Sequence, residues 1–230
     1  MQLLKTVAEA RAWRSTRSRV ALVPTMGNLH AGHLALVSAA RGQADDVIVS
    51  IFVNPLQFGP NEDLANYPRT FEADIAALEH AGVTAVFAPG VDEMYSAGGR
   101  SATTVHVAGI TEMLCGASRP GHFDGVATVV AKLFNMLTPD IALFGEKDYQ
   151  QLAVIRQMAE DLALPVEVAG VPTVREDDGL AYSSRNGYLT SDERRRAVAL
   201  SAAIDDVTTR LAAGQRDYRA LEARGWAPLN

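Results

Sequence analysis

Cysteine and long apolar runs are nearly absent from this chain of 230 residues. The single Cys115 cannot form an internal disulfide, which favours a reducing compartment over a secreted, disulfide-stabilised protein. The strongest apolar stretch, residues 47–53, is far shorter than the ~20 residues that span a bilayer. Residues 1–5 lead into a charged helical pattern and not into the apolar segment of a secretory signal. The sequence therefore predicts a cytoplasmic protein without a membrane partner.

Excess positive charge and the common nucleotide-binding loops are also lacking. The chain has 21 Lys and Arg against 27 Asp and Glu, a net charge of -6. Its densest basic run, residues 194–196, directly follows Asp192 and Glu193, which is typical of a solvated helix face and predicts no nucleic-acid partner. Neither G-x-x-x-x-G-K-[ST] nor G-x-G-x-x-G after a strand occurs, so a P-loop kinase and a dinucleotide-dependent dehydrogenase are disfavoured.

Extended apolar runs alternate with helical patterns, and 48% of the residues are hydrophobic. This alternation predicts an α/β fold in which helices cover both faces of a parallel sheet. The predicted strands are 19–24, 47–53, 84–88, 103–107, 141–144 and 166–171. The predicted helices are 6–16, 33–41, 70–81, 123–137 and 149–162.

A polar, turn-rich stretch at 176–179 interrupts this pattern and predicts a domain boundary. We expect a first domain at 1–173 and a smaller C-terminal domain at 174–230. A long helix is predicted from Ser191, which would be its N-cap, to about residue 213.

Two histidines follow the first predicted strand at the start of a helix. Gly27 and Gly32 let the backbone approach a ligand closely, and the helix N-terminus directs free N–H groups and partial positive charge at that ligand. His30 and His33 are three residues apart and would share one helix face, where their N–H groups suit reacting phosphate oxygens. The alternatives are capping or surface histidines. A zinc site is less favoured because the helical zinc motif spaces its histidines by four and no third ligand is near.

Two further segments carry groups that could bind phosphate. Lys147 lies in the turn after the fifth strand, at the mouth of the predicted sheet, where it would contact phosphate or carboxylate unless it is an ordinary solvated lysine. Ser183, Ser184 and Arg185 supply two hydroxyls and a guanidinium group, which suit phosphate oxygens but are common in any loop.

Neutral amides follow the second predicted strand. Asn54 and Gln57 could bind the hydroxyl and carboxylate oxygens of a small polar substrate, and an Asn-Pro turn would explain Asn54 but not Gln57. Arg119 and His122 open the fourth major helix, where His122 could be an ordinary N-terminal residue of that helix.

Five segments of the chain, 24–33, 50–58, 67–70, 144–151 and 183–186, together resemble the pantoate-beta-alanine ligase family. The two-histidine motif alone is shared with the wider nucleotidylyltransferase superfamily and the class I aminoacyl-tRNA synthetases. The segments Asn54-Pro55-Leu56-Gln57-Phe58 and Gly145-Glu146-Lys147-Asp148-Tyr149-Gln150-Gln151 narrow the resemblance to the ligase.

The resemblance implies a Rossmann-like first domain that binds nucleotide and pantoate, a C-terminal lid domain and a homodimer. It implies a two-step reaction in which pantoate and ATP form pantoyl adenylate and pyrophosphate, and β-alanine then displaces AMP to give pantothenate. Mg²⁺ would enter with ATP, without protein ligands of its own.

The resemblance also implies a role for individual residues. The catalytic group would be His33, His30 and Lys147. The ATP site would comprise Met26, Gly27, Asn28, Leu29, His30, Ala31, Gly32, His33, Gly145, Glu146, Lys147, Asp148, Val174, Tyr182, Ser183, Ser184 and Arg185. The pantoate and β-alanine site would comprise Gln57, Gln151, Asn54, Arg119 and His122.

Two features depart from the family pattern. Family members usually continue for several tens of residues, so we expect a partial lid and some loss of the adenylate to hydrolysis. Tyr182 stands where the family often has Met. Two other functions stay open at this point: a nucleotidylyltransferase that stops after AMP transfer, and a non-catalytic binding or scaffold protein.

Overall fold

The structure, a computed structural model, describes residues 1–60, 62–95 and 101–229. The chain divides into two compact units, Met1–Pro172 and Thr173–Asn230. Asn230, the predicted end of the second domain, lies outside the described residues.

A six-stranded sheet forms the centre of the first unit, and every pair of neighbouring strands is parallel. Its order is β1-β4-β3-β2-β5-β6. The strands are β1 Gln2–Leu4, β2 Val20–Thr25, β3 Asp46–Ile51, β4 Ala85–Phe87, β5 Ile141–Gly145 and β6 Glu167–Val171. The predicted α/β class is confirmed.

Seven helices of the first unit follow or connect these strands within the described residues. They are α1 Val7–Arg14, α2 Ala31–Arg41, α3 Phe71–His80, α4 Val91–Met94, α5 Cys115–Ser118, α6 His122–Leu137 and α7 Tyr149–Asp161. Alternate residues of β2 enter two separate apolar clusters, because successive strand side chains point to opposite faces. Val20 and Leu22 share a cluster with α1, α6 and α7, and Ala21 and Val23 share one with α2 and α3.

The second unit consists of an irregular hairpin and three helices over its described part. An isolated antiparallel bridge joins Arg175 to Ala181. The helices are α8 Ser191–Ala197, α9 Ala199–Ala212 and α10 Tyr218–Trp226. In the part of the chain that the structure describes, no helix combines the length and apolar character that crossing a membrane requires.

Several details differ from the sequence prediction, and the helices α4, α5 and α10 were not predicted. Residues 103–107 form no strand; the Val105 N–H donates to the Thr128 hydroxyl at 2.9 Å and not to a sheet partner. The short β1 was not predicted. The helix predicted at 191–213 is split at Val198, and its cap is Thr190, whose hydroxyl accepts the Glu193 N–H while the Glu193 carboxylate accepts the Thr190 N–H.

The sheet order places a crevice between β2 and β5. The chain leaves β2 for β3 on one side and leaves β5 for β6 on the other, so the loops after β2 and β5 diverge. In open α/β sheets, ligands bind at the carboxyl ends of the strands at such a switch point. The predicted histidine and lysine segments are the loops that follow these two strands.

Candidate active site

His30 and His33 form a reciprocal cap at the start of α2. The His30 side chain accepts the Gly32 N–H at its Nδ1 (3.2 Å), and His33 Nδ1 accepts the His30 N–H (3.3 Å). The two ring centroids are 4.1 Å apart. Because both Nδ1 atoms accept hydrogen bonds, each neutral ring carries its proton on Nε2. The histidines therefore do cap the helix, which was one alternative left open by the sequence. Capping also fixes the tautomer in which Nε2–H can donate to a phosphate oxygen.

The electrostatics of the pair favour neutral rings. Burial, followed by the charges of His30 and Lys147, lowers the pKa of His33 to about 3. Burial and then Lys147 lower the pKa of His30, against an opposing effect of Asp148. At neutral pH both imidazoles are therefore N–H donors without positive charge. The helix α2 packs against β5, which places the Lys147 turn near the two rings, and Lys147 contributes to the lowered pKa of both.

Asp74, which the sequence analysis did not select, holds the loop that leads to the histidines. The residue is 3% exposed, and its carboxylate accepts the Asn28 N–H (2.9 Å), the Leu29 N–H (2.8 Å) and the Thr70 hydroxyl (3.1 Å). Gly27 and Asn28 have φ values of 81° and 51°. A Cβ on Gly27 would lie 3.0 Å from an Asp74 oxygen, so this position requires glycine for both reasons.

Lys147 lies in the 3-10 turn Glu146–Asp148 that follows β5. Its Nζ is 3.5 Å from Asp148 Oδ2, and its side chain is 37% exposed. The ammonium group is therefore available to an anion in the crevice. Met26, Gly32 and Gly145 are half-buried around the same strand ends, whereas Ala31 and Glu146 are exposed.

Asn54 and Gln57 lie in a second cluster, around the 3-10 turn Pro55–Gln57. Asn54 is 1% exposed, and both the oxygen and the nitrogen of its amide are hydrogen-bonded to protein groups. It therefore supports Gln57 and does not offer a free group to a substrate. Asn54 Nδ2 donates to Gln57 Oε1 at 3.0 Å. Gln57 Nε2 contacts Met26 Sδ at 3.2 Å, which joins this amide to the histidine loop.

Arg119 and His122 reach the same turn from the start of α6. Arg119 forms a two-pronged ion pair with Glu62 (2.6 and 2.7 Å) and donates to His122 Nε2 at 3.0 Å. His122 Nδ1 donates to the Gln57 carbonyl oxygen at 2.8 Å. Burial is the largest effect lowering the pKa of His122, and the Arg119 hydrogen bond lowers the pKa of Glu62 to about 2. These side chains hold the Gln57 backbone in place.

Gln151 is half-buried in the first turn of α7, directly after the Lys147 turn. The same helix packs against β5 and β6. The pantoate-binding role that the family resemblance implies for Gln151 stays a prediction.

The remaining predicted ATP residues lie in the second unit, close to one another. The Tyr182 N–H donates to the Val174 carbonyl oxygen at 3.0 Å. Ser183 caps the 3-10 turn Ser184–Tyr188, its hydroxyl accepting the Arg185 N–H at 3.2 Å. These residues form one local segment of the second unit.

Three residues of the site were missed by the sequence analysis: Asp74, Glu62 and Tyr95, whose hydroxyl donates to Asn54 Oδ1 at 2.8 Å. Helix spacing could have identified Asp74, because it lies four residues before Leu78 and so shares a helix face with it. Asp74 and Leu78 are the buried residues of α3. A carboxylate on the buried face of a helix requires partners, and here they are backbone N–H groups. Tyr95 and Glu62 left no signal, because their partners are distant in sequence.

The comparisons with known proteins agree on one family. A family model described as pantoate-beta-alanine ligase matches residues 2–227. A pantothenate synthetase of Alkalilimnicola ehrlichii is 60% identical over 100% of this chain and 82% of its own length.

Solved structures give the same result. A pantothenate synthetase from Thermus thermophilus matches with a TM-score of 0.94 and 54% identity, over 100% of this chain and 82% of that one. A pantoate-beta-alanine ligase from Francisella tularensis, in complex with β,γ-ATP and β-alanine, matches with a TM-score of 0.79 and 33% identity, over 97% of this chain and 86% of that one. The chain therefore belongs to the pantoate-beta-alanine ligase family.

Proposed function

We propose that this chain activates pantoate with ATP in the crevice between β2 and β5, and then transfers the pantoyl group to β-alanine. The observation that carries the proposal is the pair of neutral histidines at the N-terminus of α2, with Lys147 beside them. Neutral N–H donors, a helix N-terminus and one ammonium group suit the phosphates of a nucleotide. The Francisella relative was solved with β,γ-ATP and β-alanine, which supports ATP and β-alanine as ligands here.

The first step forms an acyl adenylate. A carboxylate oxygen of pantoate attacks the α-phosphorus of ATP, and the bond from that phosphorus to the bridging oxygen of pyrophosphate breaks. Negative charge grows on the phosphoryl oxygens as this happens. His33 and His30 would donate their Nε2–H groups to these oxygens, and Lys147 would add a positive charge.

The second step forms the amide. The neutral amine of β-alanine attacks the acyl carbon, the bond from that carbon to the AMP oxygen breaks, and the amine releases a proton to solvent. AMP is a far better leaving group than the oxide ion that direct attack on pantoate would require. Activation by ATP is therefore chemically necessary for the condensation.

The acid substrates are assigned to the amide groups. Gln57 and Gln151 would bind pantoate, and Gln57 would also contact β-alanine, with Arg119 and His122 holding this side of the site. Asn54 would act through Gln57. The family match supports an ATP role for Val174, Tyr182, Ser183, Ser184 and Arg185. A homodimer, which the family resemblance implies, and a cytoplasmic location are part of the same proposal.

Magnesium is assigned to the nucleotide and not to a protein cage. Within the described ranges 1–60, 62–95 and 101–229, no group of three or more His, Cys, Asp or Glu side chains could hold a metal ion. Mg²⁺ would be part of the MgATP substrate, held by phosphates and water.

The test is to measure pyrophosphate and AMP from ATP and pantoate, with and without β-alanine. The proposal predicts pyrophosphate release that requires pantoate, and AMP release that rises with β-alanine and accompanies pantothenate formation, above a slower release from hydrolysis of the adenylate. A nucleotidylyltransferase would release pyrophosphate without β-alanine-dependent AMP. A binding protein would retain ATP without releasing either product, and both outcomes would contradict the proposal.

A further inference from the structure

We propose that Tyr95, acting through Asn54, fixes the amide of Gln57 so that its NH₂ group, and not its oxygen, is presented to the acid substrates. Tyr95 is thus a positioning residue for the ligase reaction. The inference rests on the proposed function of Gln57 as a substrate contact.

The orientation of the Asn54 amide follows from three neighbours. Asn54 Oδ1 accepts the Tyr95 hydroxyl at 2.8 Å and the Leu56 N–H at 3.2 Å, while Nδ2 donates to the Gly125 carbonyl oxygen at 3.1 Å. In the flipped orientation NH₂ would face the Leu56 N–H, and oxygen would face the Gly125 carbonyl. Both contacts would be repulsive, so these two backbone groups select one orientation, and the Tyr95 hydroxyl, which can donate or accept, holds Oδ1 in place within it.

Tyr95 contributes a buried donor to this arrangement. The whole residue is 1% exposed, and burial raises the pKa of its hydroxyl, which therefore keeps its proton at neutral pH. The phenol and Asn54 Oδ1 are both shielded from water, so the hydroxyl depends on Oδ1 as its acceptor, and Oδ1 would lose one of its two donors without the hydroxyl. Such a hydrogen bond is costly to break because no water replaces it.

The orientation of Asn54 then decides that of Gln57. The second hydrogen on Asn54 Nδ2 points to Gln57 Oε1 at 3.0 Å. A flipped Gln57 would place two NH₂ groups against each other. Gln57 Nε2 is consequently directed the other way, to Met26 Sδ at 3.2 Å, on the side of the loop that carries the histidines.

This polarity selects among substrate groups. An NH₂ group donates to the carboxylate and hydroxyl oxygens of pantoate and to the carboxylate of β-alanine. It repels the ammonium form of β-alanine. We therefore infer that Gln57 holds oxygens of the two acids and leaves the reacting amine to other groups.

The first test compares Tyr95→Phe and Asn54→Asp with the parent chain. In Asn54→Asp an oxygen replaces Nδ2 and faces Gln57 Oε1, so Gln57 should flip and present its oxygen to the substrate. We expect KM for pantoate to rise about fivefold in Tyr95→Phe and at least tenfold in Asn54→Asp, with KM for ATP changed less than twofold. Tyr218→Phe, which removes an exposed hydroxyl in α10, is the matched control and should leave both KM values unchanged.

A double-variant cycle separates positioning from a general loss of structure. In a Gln57→Ala background there is no amide to orient, so Tyr95→Phe and Asn54→Asp should cause no further rise in KM for pantoate. Equal rises in both backgrounds would overturn the inference. If Tyr95→Phe is not recovered folded, the Asn54→Asp cycle alone decides whether the rise in KM for pantoate depends on Gln57.

The inference and the proposed function fail in different ways. A normal KM for pantoate in Tyr95→Phe and Asn54→Asp, together with a raised one in Gln57→Ala, would overturn the inference and leave Gln57 as a substrate contact. Unchanged KM values for both acids in Gln57→Ala would overturn the substrate role of Gln57 itself.

Discussion

Gly125→Ala is expected to damage the active site although alanine normally stabilises a helix. Gly125 lies in α6, where it faces the backbone of the 3-10 turn that carries Gln57. A Cβ at this position would lie 2.3 Å from the Leu56 carbonyl oxygen, 2.5 Å from the Leu56 carbonyl carbon and 2.6 Å from the Gln57 nitrogen. These are backbone atoms, so no side-chain rotation can relieve the contact.

The size of the effect follows from the distance by which the two segments must separate. Ordinary contact at about 3.4 Å requires the turn to move by about 1 Å, and misplacement of this size at a reacting group can cost about 100-fold in rate. Overpacking costs ~1–3 kcal/mol, and the helix gain of alanine over glycine offsets up to ~1 kcal/mol. We expect a net loss of about 1–2 kcal/mol in the free energy of unfolding and about 100-fold in kcat/KM for pantoate.

The assay pairs pantoate-dependent pyrophosphate release with urea unfolding. Gly225→Ala is the matched control, because Gly225 also lies in a helix and its added Cβ would meet Val207 Cγ2 at an ordinary 3.6 Å. That variant should keep full activity and unfold at equal or slightly higher urea concentration. An active Gly125→Ala protein of parental stability would refute the packing argument.

Four further predictions test other parts of the site. His33→Ala should slow pyrophosphate release about 100-fold with the fold intact, since one donor to developing charge is lost; a near-parental rate would remove His33 from the chemistry. The folded-state pKa of His33 is about 3, below its ordinary 6.5, so the stability that the neutral ring contributes is full above pH 6.5 and is lost as the pH falls towards 3. Between pH 7 and pH 5 the free energy of unfolding, measured in urea, should therefore fall less in His33→Gln than in the parent chain. Asp74→Asn should lower the free energy of unfolding by about 2 kcal/mol, because an NH₂ group would face a loop N–H; an unchanged urea midpoint would show that the carboxylate is not needed. Gln151→Ala should raise Kd for pantoate by calorimetry with Kd for ATP little changed, and the reverse pattern would mean that the two sites are misassigned.

The parts of the site that the sequence predicts are those encoded locally. His30 and His33 are three residues apart after an apolar strand, so strand, turn and helix start can be read from one short segment. Lys147 follows another apolar strand in the same way. The parallel sheet then brings the two loops to one edge, which the α/β class already implies.

The parts that the sequence could not predict depend on partners far apart in the chain. The helix pattern indicates that Asp74 is buried but not which loop it supports, some 45 residues before it, and Tyr95 reaches Asn54 across 41 positions. The tautomer of the histidines depends on which backbone N–H each ring accepts, a property of the folded turn. Residues 103–107 carry the β-branched composition of a strand, yet Val105 bonds to a helix side chain, so local propensity was overridden by tertiary contacts.

The central claim is that the pantoate carboxylate attacks the α-phosphorus of ATP, and oxygen transfer tests it most directly. Pantoate labelled with ¹⁸O in its carboxylate would be incubated with MgATP, β-alanine and this chain, and the phosphorus products analysed by mass spectrometry. Adenylate chemistry predicts one ¹⁸O atom in each AMP released and none in pyrophosphate. Label in inorganic phosphate, with ADP as the nucleotide product, would mean attack at the γ-phosphorus and would contradict the account.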